Sequence, residues 1–419
     1  MFDHSRFIKS PAIEAFTSRF GRPKQPRVAP QKVQSQSVSL EKFLSIPVCG
    51  GSFESSAQRY GQFLARQDRW EDLSTAVHQA DQNRETTSGG MPVADLLTYG
   101  ARADVVRSVE HALMDGKTAN DRCLLDGING LEAVRREHPN DSAIAMILAL
   151  AHIDIGWAWR GRGWEATVAH QNRKKIAAHL DRATIILAPY CGIQLNSPAL
   201  VSAKCALLAG QNNPHLHVAD EYEALIDLHP ENHRHMRAMG HHLLPRWFGS
   251  YDQLELEARR TAARTQDIWG NGAYTWVYFD AIAMDERACE RVDVAFFVDG
   301  LHDIVAARPE QEFINLLTAY CAIALRRGAG ISEEADFPRM QISDCADWLI
   351  RDHLTEVHPL IWAHAAEGFD NNARITSLKR FAARGRADAL HAIANQFRKE
   401  INNGQHVTFT PDGPELHPA

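Results

Sequence analysis

Helical periodicity constrains this chain most, because it runs almost without interruption from about residue 38 onward. In VDVAFFVDGLHDIVAARP, apolar side chains recur every three or four residues, as they do on one face of an α-helix. These positions are Val294, Phe297, Val298, Leu301, Ile304 and Val305. Convincing strand-like alternation occurs only in HVTFTP near the C-terminus. The sequence therefore predicts an all-α fold.

A degenerate repeat accompanies this periodicity. Three segments place an alanine six residues before a proline: LEAVRREHPND (Ala133, Pro139), DRATIILAPYC (Ala183, Pro189) and YEALIDLHPEN (Ala224, Pro230). A fourth segment, HDIVAARPEQ, keeps its proline, Pro309, but lacks the alanine. Alanine lets two helices approach closely, and proline ends a helix. Since one helical hairpin cannot bury its own apolar face, the pattern predicts hairpin repeats stacked into a superhelix, or solenoid.

These units resemble tetratricopeptide (TPR) repeats. FESSAQRYGQFLARQDRWEDLSTAV is nearest to the TPR pattern, with Tyr60 and Gly61 in a first helix and Trp70 opening a second. Two other stretches, WAWRGRGWEATV (157–168) and LPRWFGSYDQLELEA (244–258), resemble the signature stretches of an uncharacterised bacterial family, a domain of unknown function with TPR-like repeats. The matching residues are Trp157, Arg160, Gly161, Gly163, Trp164, Pro245, Arg246, Trp247, Gly249 and Ser250. The resemblance implies a helical-repeat fold and no known activity.

Three segments are predicted along the chain. Residues 1–37 form a basic, partly flexible N-terminal arm, 38–400 a TPR-like α-helical repeat domain, and 401–419 a C-terminal tail that could add a short strand. The arm could contact a partner, a membrane surface or an organelle import system. Equally, it could pack on its own body.

Composition excludes several classes of function. The net charge of −7, from 45 basic and 52 acidic residues, gives no reason to expect nucleic-acid binding. No CxxC pair occurs among the seven cysteines, and Pro230 separates His229 from His233 in the densest histidine segment, so neither metal nor cofactor is predicted. No charge-free apolar run reaches the roughly 20 residues of a membrane span. The chain is expected to be cytoplasmic.

One apolar segment carries charge where none is expected. SAIAMILALAHIDIGWAWRG is apolar on nearly all sides yet contains His152 and Asp154. A buried charge must be paired or hydrogen-bonded, because burial otherwise costs several kcal/mol or shifts the pKa. Asp154 could be an acid/base or ligand-anchoring group in a groove. Alternatively, Arg160 or Arg162 could pair with it and lock one hairpin onto the next.

Tryptophan and arginine concentrate around the two signature stretches. Both residue types dominate interface hot spots, so they could line a concave peptide-binding surface. Tryptophan at helical spacing is, however, more often core, and arginine stacked on it often only rigidifies a turn. The candidate binding residues are Asp154, Trp159, Arg160, Arg162, Trp164, Arg246 and Trp247. No catalytic residue is predicted. We expect a protein-interaction module or scaffold with an unknown protein or peptide partner. The alternatives are an enzyme or small-molecule binder with a site between helices around Asp154, and a structural subunit.

Overall fold

The computed structural model describes residues 40–49, 56–117, 121–161, 169–325, 332–368, 375 and 377–418. Helices make up most of this part of the chain, which confirms the all-α prediction in its coarse form. Stacking of the hairpins into a TPR-like solenoid stays a prediction. The predicted arm, 1–37, lies outside the described residues, as do Arg162 and Trp164.

The described chain forms two compact units. Unit 1 contains 56–235 and 246–249, and unit 2 contains 40–49, 236–245 and 250–418. Together they cover the region predicted as one repeat domain and the tail that follows it.

The described part of unit 1 consists mainly of helices. Its elements are α1 (Ser56–Arg66), α2 (Trp70–Gln82), α3 (Val93–Met114), α4 (Asp126–Glu137), α5 (Ser142–Arg160), α6 (His170–Leu187), α7 (Pro198–Cys205) and α8 (Val218–Leu228). Short 3₁₀ turns lie at Arg122–Leu124, Leu208–Gly210 and Pro214–Leu216. Helix α9 (His233–His242) begins in unit 1, and its residues from 236 onward belong to unit 2.

Helix α5 lies at the centre of unit 1. It begins where the Asp141 carboxylate accepts a hydrogen bond from the Ile144 amide at 3.0 Å, a side-chain N-cap. Because α3, α4, α6, α2 and α7 all pack against it, most of its side chains are buried. This explains why its sequence is apolar on nearly all sides.

The repeated prolines mark helix ends as predicted. Helices α4, α6 and α8 each end two residues before the proline, and so does α13 (Val294–Ala307) in unit 2. Proline disfavours helical backbone in the residue before it, which explains the constant offset. The repeated alanines behave less uniformly, since Ala183 is fully buried whereas Ala133 and Ala224 are only half-buried.

Unit 2 combines helices with one small sheet. Its helices are α10 (Tyr251–Arg264), α11 (Gln266–Trp269), α12 (Gly272–Met284), α13, α14 (Gln311–Ala319), α15 (Glu333–Asp344), α16 (Ala346–Trp348), α17 (Pro359–Glu367), α18 (Leu378–Gln396) and α19 (Arg398–Asn402). Further turns are 3₁₀ at Leu40–Phe43 and Glu286–Glu290, and π-helical at Tyr320–Ala324 and Leu349–His353.

The sheet of unit 2 has the strand order β1 (Leu44–Ser45), β2 (Gln405–Thr410) and β3 (Gly413–Pro418). Strand β1 pairs in parallel with β2, which pairs antiparallel with β3. The strand predicted at HVTFTP is therefore confirmed. A separate parallel bridge joins Val48 to Val357.

Helix α5 also has the length and apolar composition to cross a membrane, which the sequence analysis did not expect of any segment. Of its most apolar window, 67% is buried inside unit 1. A central core helix of a soluble protein has these same properties. The helix is therefore weak support for a membrane span.

Candidate functional site

Asp154 is held by an arginine that the sequence did not indicate. Arg102 of α3 donates from its Nε to Asp154 Oδ2 at 2.6 Å, and Arg102 itself is buried. The Arg102 guanidinium also lies 5.3 Å from the centre of the Tyr99 ring. From the sequence, Arg160 or Arg162 was predicted as the partner; the partner in the structure is Arg102, and Arg162 lies outside the described residues. The ion pair joins α3 to α5. Of the two interpretations of Asp154, it matches the one in which an arginine pairs with the aspartate and holds helices together.

His152 belongs to a four-residue network that joins α4, α5 and α6. Its Nδ1 lies 2.9 Å from Nδ1 of His179, and its Nε2 lies 3.2 Å from Oε1 of Glu132. Glu132 also accepts two hydrogen bonds from Arg182, at 2.7 and 2.6 Å. A hydrogen bond between two ring nitrogens requires one of them to be unprotonated, so the two imidazoles cannot both be charged.

The electrostatics of this network keep both imidazoles neutral near pH 7. Burial lowers the pKa of His152, and burial with the charge of His152 lowers the pKa of His179 to about 4. Hydrogen bonding from Arg182 lowers the pKa of Glu132, which stays ionised. The chain Glu132–His152–His179 can pass a proton between imidazoles, but equally it satisfies buried polar groups. Of these four residues, sequence reasoning singled out only His152. His179 and Arg182 lie three residues apart on α6 and therefore on the same face of that helix, which faces His152 and Glu132.

The aromatic and cationic candidates partly come together at the C-terminal end of α5. The ring of Trp157 meets Trp247 edge-on at 6.2 Å, and the Arg160 guanidinium lies 5.7 Å from the Trp157 ring centre. Trp157, Arg160, Arg246 and Trp247 are all half-buried. We call these four residues the Arg/Trp surface.

Trp159 does not belong to this surface. Its side chain is 8% exposed and packs in the core of unit 1, while its carbonyl accepts a hydrogen bond from Asn172 at 3.0 Å. Successive helix positions point about 100° apart, so Trp157 and Trp159 face different sides of α5. Trp159 is therefore a core residue, which was the alternative to a binding role in the sequence analysis.

A recess in unit 1 gathers further ionisable groups that the sequence did not bring together. It has room for about one water molecule. Burial raises the pKa of Asp95 to about 6 and lowers the pKa of His229 to about 4 and of His235 to about 3. Asp81, also in its wall, accepts hydrogen bonds from Ser197 and the Ala199 amide and so caps α7. The recess is too small for a metabolite.

A second cluster lies in unit 2 and consists of Cys49, Glu356 and His358. One potential ligand atom from each residue lies within 4.8 Å of the other two. Among the described residues, these three side chains form a group that could together hold a metal ion. The sequence predicted no metal site. Cys49 is far from Glu356 and His358 in the sequence, so their proximity in space was not evident from it.

Comparison with known proteins adds no relative. No family model, no curated protein and no solved structure matches this chain. The resemblance to TPR-like proteins and to the bacterial family thus stays an expectation that rests on the residues quoted above.

Proposed function

We propose that this chain is a protein-interaction module that binds an acidic segment of a partner protein through the Arg/Trp surface. The observation that carries the proposal is the position of Trp157, half-buried against the core of unit 1 and placed between the edge of Trp247 and the guanidinium of Arg160. As part of the same proposal, the protein is a cytoplasmic bacterial one whose helical hairpins stack in the TPR manner.

The chemistry of the Arg/Trp surface suits such a partner. Half-buried tryptophan offers a large rigid apolar area, and tryptophan and arginine are enriched among residues that dominate binding energy. Guanidinium groups recognise carboxylates through paired, charge-assisted hydrogen bonds, which favours aspartate- or glutamate-containing segments. Asp154, three residues before Trp157 on α5, is held in its ion pair by Arg102, so the pair supports the helix that presents Trp157.

An enzyme or small-molecule binder with a site around Asp154 is the second candidate. The observation that favours it is the hydrogen-bonded imidazole pair of His152 and His179. His152 lies two residues before Asp154 on α5. Neutral, hydrogen-bonded imidazoles are suited to proton transfer. A ligand for such a site must enter between α5 and its neighbours.

Native mass spectrometry of the protein gently purified from its own host separates the two. A stoichiometric second polypeptide supports the interaction module. An additional mass on a single chain that exceeds the mass of a metal ion instead supports the ligand-binding alternative and contradicts our proposal.

Binding of acidic peptides tests the surface itself. We expect Arg160→Glu and Trp157→Ala each to weaken binding of an aspartate- and glutamate-rich peptide at least about 30-fold, or about 2 kcal/mol. Matched controls are Arg136→Glu on α4 and Ile185→Ala on α6, both exposed residues of unit 1. Equal losses in the controls, or equal binding of a lysine-substituted peptide, would contradict a specific site.

A further inference from the structure

Cys49, Glu356 and His358 are brought together by backbone pairing. The Val357 amide donates to the Pro47 carbonyl at 2.9 Å, and the Cys49 amide donates to the Val357 carbonyl at 2.8 Å. These two bonds flank the parallel bridge between Val48 and Val357. Because successive side chains along extended backbone point to opposite faces, the neighbours of the bridged residues share the face opposite to Val357. Cys49, Glu356 and His358 therefore converge on that face.

Two side-chain amides of α14 hold the loop that carries Glu356 and His358. Asn315 of α14 is fully buried, and its Oδ1 accepts from the His358 amide at 2.9 Å, while its Nδ2 donates to the Glu356 carbonyl at 2.9 Å. Trp362 Nε1 donates to the same Asn315 Oδ1 at 2.8 Å. Gln311, one turn earlier, accepts from the Thr355 amide at 3.0 Å and donates to the His353 carbonyl at 2.9 Å. Rigid support of this kind preorganises ligands.

The three side chains offer sulfur, nitrogen and oxygen at short range. His358 Nε2 lies 2.9 Å from Glu356 Oε1, and the cysteine is a free thiol. The His358 side chain is 12% exposed and that of Glu356 36%, so the cluster is sheltered yet reachable from solvent. A thiolate ligand selects against Mg²⁺ and Ca²⁺, whereas mixed sulfur, imidazole and carboxylate ligands suit Zn²⁺ and Co²⁺.

We propose that Cys49, Glu356 and His358 bind a single transition-metal ion, with Zn²⁺ the best match. Three protein ligands leave one tetrahedral position open, the arrangement that lets a zinc ion hold water or a substrate atom. This site is independent of the Arg/Trp surface and gives unit 2 a binding role of its own. Binding must release the thiol proton, since the thiolate is the ligand.

Cobalt titration of the full chain without a histidine tag tests the site. We expect one equivalent of Co²⁺ to give the thiolate-to-cobalt charge-transfer absorption and the visible bands of a tetrahedral ion, both removed by Zn²⁺. Cys49→Ser should abolish the charge-transfer band and weaken binding at least 100-fold. The matched control is Cys191→Ser, an exposed free cysteine of unit 1, which should bind as the original protein does.

Glu356→Gln and His358→Gln refine the assignment. Both should weaken Co²⁺ binding while keeping the charge-transfer band, because the thiolate remains. His358→Gln retains the backbone bond to Asn315, so equal melting temperatures of the metal-free variants show that the loop is intact. No saturation at one equivalent, or an unchanged band in Cys49→Ser, would overturn the proposal.

Discussion

Each unit contains an apolar core helix that carries one aspartate, and the two units treat that aspartate differently. In unit 1, Asp154 of α5 meets Arg102 through one hydrogen bond of 2.6 Å, with 10% of the arginine and 30% of the aspartate side chain exposed. In unit 2, Asp280 of α12 meets Arg237 of α9 through two bonds of 2.9 and 2.8 Å, with exposures of 10% and 15%.

The comparison shows that an aspartate in an apolar helix is no sign of chemistry by itself. In both units an arginine from another helix neutralises the charge, and an aromatic ring lies beside the guanidinium: Tyr99 at 5.3 Å and Phe279 at 4.7 Å. What distinguishes α5 is that it also carries the imidazole of His152 and the half-buried Trp157. Helix α12 instead carries Tyr274 and Tyr278, whose hydroxyls both donate to one oxygen of Glu255 on α10.

Replacing each aspartate in turn should show which ion pair contributes more to the free energy of unfolding. Asp280→Ala should lower the free energy of unfolding by about 3–5 kcal/mol, because it removes both carboxylate hydrogen bonds from the buried Arg237 guanidinium and Asp280 itself is only 15% exposed. Asp154→Ala should cost less, about 1.5–3 kcal/mol, since water reaches that pair and it has one bond. Urea unfolding, with hydrogen exchange to assign each loss to its unit, provides the measurement.

The double variant Arg237→Met with Asp280→Leu is the control for the first pair, since it removes both charges together. It should recover most of the stability that Asp280→Ala loses. A larger loss for Asp154→Ala than for Asp280→Ala would reverse the comparison and make Asp154 the deeper structural lock.

Glycine contacts separate the two core helices further. Gly240 lies one turn from Arg237 on α9, and a Cβ there would come 1.7 Å from the Val277 carbonyl oxygen of α12. Gly156 of α5 is less constrained, since the nearest atom to its added Cβ would be His179 Cβ at an ordinary 3.5 Å. The Arg237–Asp280 pair therefore lies beside a backbone contact so close that only glycine fits.

Alanine at the two glycines should thus have opposite effects. Gly240→Ala should destabilise unit 2 by about 1–3 kcal/mol or more, because the helices must separate. Gly156→Ala should be neutral or stabilise by up to about 1 kcal/mol, because alanine favours helix over glycine. Thermal and urea unfolding measure both, and a destabilising Gly156→Ala would show that α5 is packed as tightly as α12.

Periodicity and proline spacing predicted the helical class, the ends of four helices and the strand near the C-terminus. They could not predict partners between helices, because a helical stripe says which face is buried and not which helix covers it. Arg102 precedes Asp154 by 52 residues, whereas the predicted partners were close by in sequence. For the same reason, isolated cysteines gave no hint that Cys49 lies beside Glu356 and His358. Of the candidate site, Arg160 and Trp247 were predicted and lie together with Trp157, but Trp159 lies in the core.

Acid should expose the remaining difference between α5 and α12, because α12 contains no histidine. The pKa of His179 is lowered to about 4 in the folded protein, below the ordinary value of 6.5. The unfolded chain therefore binds more protons between these pH values, and the stability that neutral His179 contributes is present above pH 6.5 and lost as pH falls toward 4. Glu132, Arg182 and Lys175 set the local charge.

Substitution of His179 by glutamine should flatten this part of the stability profile. We expect the free energy of unfolding of His179→Gln to fall about 1 kcal/mol less than that of the original protein between pH 7 and pH 4.5, with partial solvent access to the half-buried residue limiting the effect. His111→Gln, a solvent-facing histidine of α3, serves as the control and should leave the profile unchanged. An unaltered profile in His179→Gln would mean that the imidazole pair titrates freely. In that case α5 would differ from α12 only in its Arg/Trp surface.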